Sequence, residues 1–407
     1  MKKKITASRD VMHQLQSDYS ICTKCKICQA VHVQYCDDTR FWRNCPSGTR
    51  FRWDAYYASG KMEIARGLHT GEIEPNERMQ HVLYTCMLCS SCQEQCYEVK
   101  QLHPTRLFEL MRERAVQEGW GPLPEHAALT NSLEKYDNPW ELPKKQRGDW
   151  AEGLGLPDLK NEKAETLFFA GCTYAADPRL LGPVRAAARL LQMAGMDPGT
   201  FGAKELCCGA PALMLGDRDY FETFAAENVS RINKSGVKRV VTACAHCAWV
   251  FKEEYKRELN PDIEIKHISQ ILANPILKKG LLKPSKEVKL KAAFHDPCKL
   301  GRRFDLYDQP RRVLRAIPGL ELVELPRSTF NSLCCGGGGG VPYAFPEYAL
   351  WVAKERLAEV ESTGAEAVIT SCPYCVQMLA GAVADTGSAV KVFDLPEILL
   401  SSLGEGV

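Results

Sequence analysis

Five cysteines recur in register along the C-terminal part of the chain. Cys172, Cys207, Cys208, Cys244 and Cys247 form one set, and Cys298, Cys334, Cys335, Cys372 and Cys375 form a second, each displaced by 126 to 128 residues from its counterpart. A repeat kept to within two residues over that distance requires two copies of one domain, each built around a lone cysteine, a Cys-Cys pair and a Cys-x-x-Cys. The flanking segments repeat as well. "TLFFAGC" (166–172) and "KLKAAFHDPC" (289–298) are short apolar runs ending at the lone cysteine, and "VKRVVTAC" (237–244) and "AEAVITSC" (365–372) are β-branched runs ending at the Cys-x-x-Cys. Both read as buried strands. Helical patterns cover 179–195, 220–233 and 347–360. Strand alternating with helix predicts α/β units with parallel sheets. Ligands in such sheets gather at the carboxyl ends of the strands, where these cysteines fall.

The second pair stands in "SLCCGGGGG" (332–340), two thiols followed by five glycines. A disulfide between Cys334 and Cys335 is disfavoured, because neighbouring Cα atoms lie about 3.8 Å apart and bridged cysteines want about 4.4 Å or more. A phosphate-cradling loop fails too: no Gly-Lys-Ser/Thr follows, and Val341 breaks the dinucleotide pattern. What remains is close approach of the backbone to something bulky that both sulfurs ligate, with Gly209, Gly336 and Gly337 beside it.

Bulk properties narrow the class. The 407 residues are enough for two or three domains, and a net charge of +2 gives no field for nucleic acid or anionic membrane. "MKKKITASRDVMHQLQ" has a basic cluster without the apolar core of a signal peptide. No run of about 18 apolar residues occurs, so a soluble cytoplasmic protein without a transmembrane segment is expected. Nineteen cysteines, an odd count clustered at short spacings, point in such a chain to metal or redox chemistry and not to a disulfide framework.

The N-terminal third carries its own cysteine code. "CTKCKIC" supplies Cys22, Cys25 and Cys28; "CMLCSSCQEQC" supplies Cys86, Cys89, Cys92 and Cys96; "NCPSG" adds Cys45. Such triplets with a fourth cysteine further along describe ferredoxin-type [4Fe–4S] sites, in which the fourth ligand belongs to the other cluster. Cys22, Cys25, Cys28 and Cys96 are therefore expected to hold one cubane, and Cys86, Cys89, Cys92 and Cys45 the other. Cys36 competes with Cys45 as fourth ligand, leaving one thiol spare. Zinc is the competing metal, but structural zinc usually takes two Cys-x2–4-Cys pairs and fits two triplets poorly.

With both codes in view, the chain resembles the cysteine-rich (CCG) domain proteins over nearly its whole length, and in particular the fused catalytic subunit of heterodisulfide reductase. Other relatives in that family are iron–sulfur subunits of anaerobic glycerol-3-phosphate, glycolate and lactate dehydrogenases. The resemblance implies a mainly helical dicluster ferredoxin-like domain with its connector (1–165), followed by two Rossmann-like CCG domains with parallel sheets (166–285 and 286–407). It implies that each five-cysteine set holds a noncubane [4Fe–4S] cluster, giving two cubane and two noncubane clusters in all. It also implies that a disulfide is split between the noncubane sites at Cys207, Cys208, Cys334 and Cys335. Three departures stand out: His32 occupies the usual position of a fourth cysteine, "HVQYCDDTRFWR" is inserted before Cys45, and Tyr97 follows Cys96 where proline is usual.

Several readings compete locally. "CPYC" (372–375) matches a glutaredoxin-type dithiol at a helix start, but too little chain follows to complete that fold, and the first repeat has "CAHC" in the same slot. His246 and His295 flank expected ligands and are candidate proton donors, or hydrogen-bond donors to sulfur. Residues 113–165 read as a helix and an extended connector, and 275–288 as a linker. No flavin or nicotinamide motif is present, so electrons are expected from a flavoprotein or iron–sulfur partner, with a disulfide or thiol compound or protein as substrate. A pure relay between a dehydrogenase or electron-bifurcating complex and a quinone or ferredoxin is the competing role.

Overall fold

The computed structural model describes residues 16–97, 99–274 and 281–404. The basic N-terminal cluster and the first part of the 275–288 linker lie outside the described residues. Two parallel four-stranded sheets are present. The first joins β1 (Thr166–Phe169), β2 (Pro198–Gly199), β3 (Arg239–Thr242) and β4 (Glu264–His267) in the order β2-β1-β3-β4. The second joins β5 (Leu290–Phe294), β6 (Leu320–Val323), β7 (Ala367–Thr370) and β8 (Lys391–Asp394) in the order β6-β5-β7-β8. The two orders are the same when each repeat is numbered from its own first strand. Every residue of β1 and β7 is buried, as parallel strands covered on both faces must be. Register pairs Phe169 with Thr242 and Phe294 with Ile369, so the central strands of each sheet end side by side.

The four strands expected from apolar runs are found, and the expected helices run Leu181–Met193, Arg218–Ser235 and Pro346–Ser362. The edge strands escaped the reading: "EIKH" and "KVFD" carry charge and are only half covered, which mutes the apolar signal. The N-terminal part is helical, with helices Ala58–Thr70, Glu77–Tyr84, Ser91–Tyr97 and Pro104–Gln117. Within residues 16–128 the described β pairing is one isolated bridge, Ala30 with Arg43. The connector holds a helix, Ala127–Tyr136, and a 3-10 stretch, Lys144–Ala151.

By compactness the chain divides into two units. One gathers residues 1–128, 211–220 and 326–359; the other gathers 129–210, 221–325 and 360–407 and contains both sheets. Inside the sheet-bearing unit the repeats join reciprocally. Helix Leu181–Met193 of the first repeat packs on Leu395–Ser402 of the second, and Ile268–Asn274 of the first packs on Asp308–Arg315 of the second. Counterparts exchange partners, as across a two-fold axis. Leu272 and Leu399, counterparts at the repeat offset, are both fully buried in these helices. Leu272→Ala and Leu399→Ala are each expected to cost about 2–5 kcal/mol, read by denaturant unfolding. A cost confined to one of them would show that the reciprocal contacts are unequal.

Candidate functional site

Each lone cysteine and each Cys-x-x-Cys starts a helix just beyond a central strand. Cys172 opens helix Cys172–Ala176 after β1, and Cys244 caps helix Ala245–Glu253 after β3. The same design places Cys298 at the start of Cys298–Gly301 and Cys372 at the cap of Pro373–Thr386. In the first set all five sulfurs are buried. Cys172 Sγ lies 3.8 Å from Cys207 Sγ, and Cys247 Sγ lies 3.4 Å from Cys208 Sγ. Gly209 turns with φ of 81° and donates its N–H to Cys207 Sγ at 3.4 Å. A side chain at Gly209 would meet Phe221, and one at Gly171 would come within 3.2 Å of Cys247 Sγ. The pair is anchored from behind: Asn228 donates to the Cys207 carbonyl at 2.8 Å and Tyr255 donates to the Cys208 carbonyl at 2.9 Å.

The chemistry of this donor set suits a metal. Hydrogen bonds from Cys207 and Cys247 hold the Cys208 thiol down to about 5, whereas Cys172 (through its bond to Cys207, then burial), Cys244 (through burial) and Cys247 (through its bonds to Cys208 and Cys244) are pushed well up. One thiolate is all that a dry pocket of thiols sustains. A bound metal removes that limit, since it deprotonates its thiol ligands outright.

The two repeats meet at their Cys-x-x-Cys segments. Ligand atoms of Cys244, His246 and Cys372 all lie within 4.8 Å of one another. Cys372 Sγ is 3.8 Å from His246 Nδ1, and the His246 ring lies 5.0 Å from Tyr374. Burial opposes a charged His246, yet Cys372 raises its pKa on balance. Trp140, from the connector, stands 5.7 Å from the Tyr374 ring and donates to Thr173 Oγ1 at 3.1 Å. Tyr174 donates to the Asp394 carboxylate, tying the start of the first cysteine helix to the end of β8. Of the second set, Cys298, Cys372 and Cys375 belong to this unit, and His295 lies within 4.8 Å of Cys375. Asp296, beside His295, is clasped by Arg311 through two bonds of 2.6 and 2.9 Å.

Cys334 and Cys335 belong to the other unit, together with the N-terminal cysteines. Their loop repeats the first: Gly336 has φ of 95° and its N–H lies 3.5 Å from Cys334 Sγ. The rest of the glycine run serves a different neighbour from the one expected. A Cβ at Gly338 would lie 2.5 Å from the Met87 carbonyl oxygen, and one at Gly339 would lie 2.4 Å from that of Cys86. Gly338 and Gly339 therefore admit the backbone of the N-terminal cysteine loop, and the first repeat has Pro211 and Ala212 at the matching positions.

The N-terminal thiols group as two neighbourhoods. Cys96, raised chiefly by burial, feels the charges of Cys22 and Cys25. Cys92, also raised by burial, feels Cys45, Cys86 and Cys89 in that order. Cys28 lies between them, held up to about 12 by burial, with Cys45, Cys96 and Cys22 adding to it. Cys22, Cys25, Cys28 and Cys96 line one cavity, with Met62 and Pro104. Around the other neighbourhood, the buried hydroxyls of Ser90, Ser91 and Tyr348 have no hydrogen-bond partner among the described residues. Tyr348 feels Cys45, Cys86, Cys334 and Cys89, so these thiols surround an unused donor. Sulfide-bearing clusters accept such bonds.

Cys36 is placed elsewhere. It is buried with Val31 and Phe41, and its thiol points to the Asp38 carbonyl at 3.5 Å. The insertion around it rests on residues 327–330: Tyr35 packs edge-on against Phe330, and Arg327 lies over Phe41 and donates to the Arg43 carbonyl. Sequence reasoning missed the buried bases Arg112 and Lys61 entirely. The signal that marks Arg112 is its place on the apolar stripe of helix Pro104–Gln117, between Phe108 and Ala115.

Comparison with known proteins agrees with this architecture. Residues 166–252 and 292–380 match the cysteine-rich domain, CCG. The chain belongs to the CCG-domain family of iron–sulfur oxidoreductases. It is 30% identical to a subunit of the dihydromethanophenazine:CoB–CoM heterodisulfide reductase of Methanosarcina mazei, over 94% of this chain and 93% of that protein. It is 32% identical to the EtfAB:quinone oxidoreductase of Syntrophomonas wolfei and 31% identical to the probable iron-sulfur-binding oxidoreductase FadF of Bacillus subtilis, over 79% and 85% of this chain. The chain spans about half the length of those two, 46% and 50%.

The contrasting settings of Cys36 and Cys45 generate a direct test. Cys36→Ser is expected to keep the full iron complement, and Cys45→Ser to lose or convert one four-iron cluster, read by iron analysis and paramagnetic resonance. The opposite pattern would reassign the fourth ligand.

Proposed function

We propose that the chain is an iron–sulfur oxidoreductase subunit carrying electrons through two cubane clusters to two noncubane clusters, where a disulfide-type substrate is reduced. In this reading the modules are 1–165, 166–285 and 286–407. Cys22, Cys25, Cys28 and Cys96 would hold the first cubane, and Cys45, Cys86, Cys89 and Cys92 the second. Cys172, Cys207, Cys208, Cys244 and Cys247 would hold one noncubane cluster, and Cys298, Cys334, Cys335, Cys372 and Cys375 the other. The clusters, when bound, supply one-electron steps that the protein itself lacks.

The observation that carries this reading is the meeting of Cys244 and His246 from one repeat with Cys372 from the other. Two repeats whose Cys-x-x-Cys segments meet are suited to a reaction that needs two electrons at one place. Cleaving a disulfide breaks one S–S bond, consumes two electrons and two protons, and releases two thiols. His246, bonded to Cys372 and tilted 5.0 Å from the Tyr374 ring, would hold a proton there. His295, close to Cys375, is its candidate counterpart. The electrons would come from a flavoprotein or iron–sulfur partner. Ile21, Tyr97 and Val99 are exposed next to Cys22 and Cys96, an apolar rim at the first cubane where such a donor would dock. Among the described residues no helix is long and apolar enough to cross a membrane; we place the chain in the cytoplasm, reaching a membrane only through a partner.

A relay without a substrate of its own is the second reading, favoured by the likeness to an EtfAB:quinone oxidoreductase. Protein prepared without oxygen is expected to hold about 16 iron per chain, from four four-iron clusters. Cys208→Ser and Cys335→Ser are each expected to abolish disulfide turnover while dithionite still reduces the N-terminal cubanes at the wild-type rate. Iron near half that value would remove both noncubane clusters from the proposal. Fully loaded wild-type protein that reduces no disulfide would favour the relay.

A further inference from the structure

Within residues 16–128, one lysine and one arginine are fully buried, Lys61 and Arg112. Arg112 donates Nη1 to the Met214 and Gly339 carbonyls, both at 2.7 Å, and Nη2 to the Leu83 and Cys86 carbonyls, at 2.9 and 2.6 Å. Its guanidinium lies 4.8 Å from the Tyr84 ring. Lys61 donates Nζ to Ser47 Oγ at 3.0 Å and to the Tyr56 carbonyl, and Ser47 Oγ lies 3.6 Å from Cys45 Sγ.

Neither base has a carboxylate within ion-pair distance among the described residues. The acids on the Arg112 helix bond to other bases, Glu109 to Arg106 at 3.5 Å and Glu113 to Arg218 at 2.8 Å, and the Glu109 charge reaches Arg112 only after those of Cys86 and Tyr84. Arg327 and Arg356, the other buried bases of this unit, both reach Glu359. Buried charges without countercharge are strongly destabilising, and each of these two acts on a thiol of one ligand set, Lys61 on Cys45 and Arg112 on Cys86. Both stand at the ligand set Cys45, Cys86, Cys89 and Cys92. At the other set the buried charge is of opposite sign: Asp18 acts on Cys96.

We propose that Arg112 and Lys61 set the reduction potential of the cubane held by Cys45, Cys86, Cys89 and Cys92, their two positive charges favouring the added electron. The proposal rests on the cluster assignment under Proposed function. One electron enters that cluster from a one-electron donor, and no bond forms or breaks; cluster potential responds to nearby charge and hydrogen bonding. Arg112 also binds the carbonyls of Cys86 and Gly339 together, so the electron is held at the loop that leads back to Cys334 and Cys335.

The test is a redox titration of the full chain, prepared without oxygen and followed by paramagnetic resonance, with dithionite as reductant; the signal lost in Cys45→Ser identifies the cubane. Arg112→Gln and Lys61→Met are each expected to shift its electron affinity at least tenfold downward, 59 mV for one electron, leaving the other cubane unmoved. Arg112→Lys and Lys61→Arg, which keep the charge, are expected to recover most of the shift. Loss of the cubane in the charge-removing variants alone, with retention in the charge-keeping ones, also supports the role of charge. Unchanged potential in iron-loaded Lys61→Met overturns the proposal, as does loss of the cubane in all four variants alike. Wild-type protein that shows no cubane signal sensitive to Cys45→Ser overturns the cluster assignment itself, a result distinct from an unmoved potential.

Discussion

A thiol buried away from water resists ionisation, and each further thiol brought against it resists more. This chain brings five together in one buried set, two of its sulfur pairs 3.4 and 3.8 Å apart, and the surrounding structure is arranged to hold them so. Parallel central strands end side by side and aim their cysteines at one edge. The helices that follow are opened by cysteines themselves, so the sulfurs sit at helix N-termini, whose partial positive charge suits thiolate. Asn228 and Tyr255 fix the Cys207-Cys208 backbone from behind, leaving both sulfurs forward. Such an assembly is stable as a metal site and poor as a set of free thiols.

The second constraint is space for backbone. Glycine at 338 and 339 lets the loop carrying Cys334 and Cys335 lie directly on the Cys86–Met87 backbone, and Arg112 fastens the two loops through their carbonyls. The first repeat lacks the glycine run, and its own close approach is at Gly216, where a Cβ would lie 2.3 Å from the Arg112 backbone. The two repeats are thus alike in sheet order and cysteine register, and unlike where only one of them must receive the N-terminal cysteine loop.

The repeat, the four central strands, the three long helices and the two cysteine triplets were legible because each rests on a local pattern: apolar runs, helical periodicity, or spacing of a reactive residue. Between Cys36 and Cys45 the sequence favoured Cys45 on its Cys-Pro-Ser-Gly motif and left Cys36 as a competitor. Packing separates them: Cys36 is enclosed by Val31 and Phe41, while Cys45 stands beside Ser47 and within the field of Lys61 and Cys86. The edge strands β4 and β8 were missed because half-covered strands need few apolar residues.

What the sequence determined by itself was the cofactor chemistry and the doubling of the domain, since ligand spacing and repeat offset are properties of the chain as written. What only the tertiary structure decided was which buried groups share a neighbourhood. Cys372 reaches His246 across 126 residues, Gly339 reaches Arg112 across 227, and nothing local in the sequence records either contact. Charge compensation and the meeting of the repeats depend on distance in space, which the chain acquires only when the strands align and the helices exchange partners.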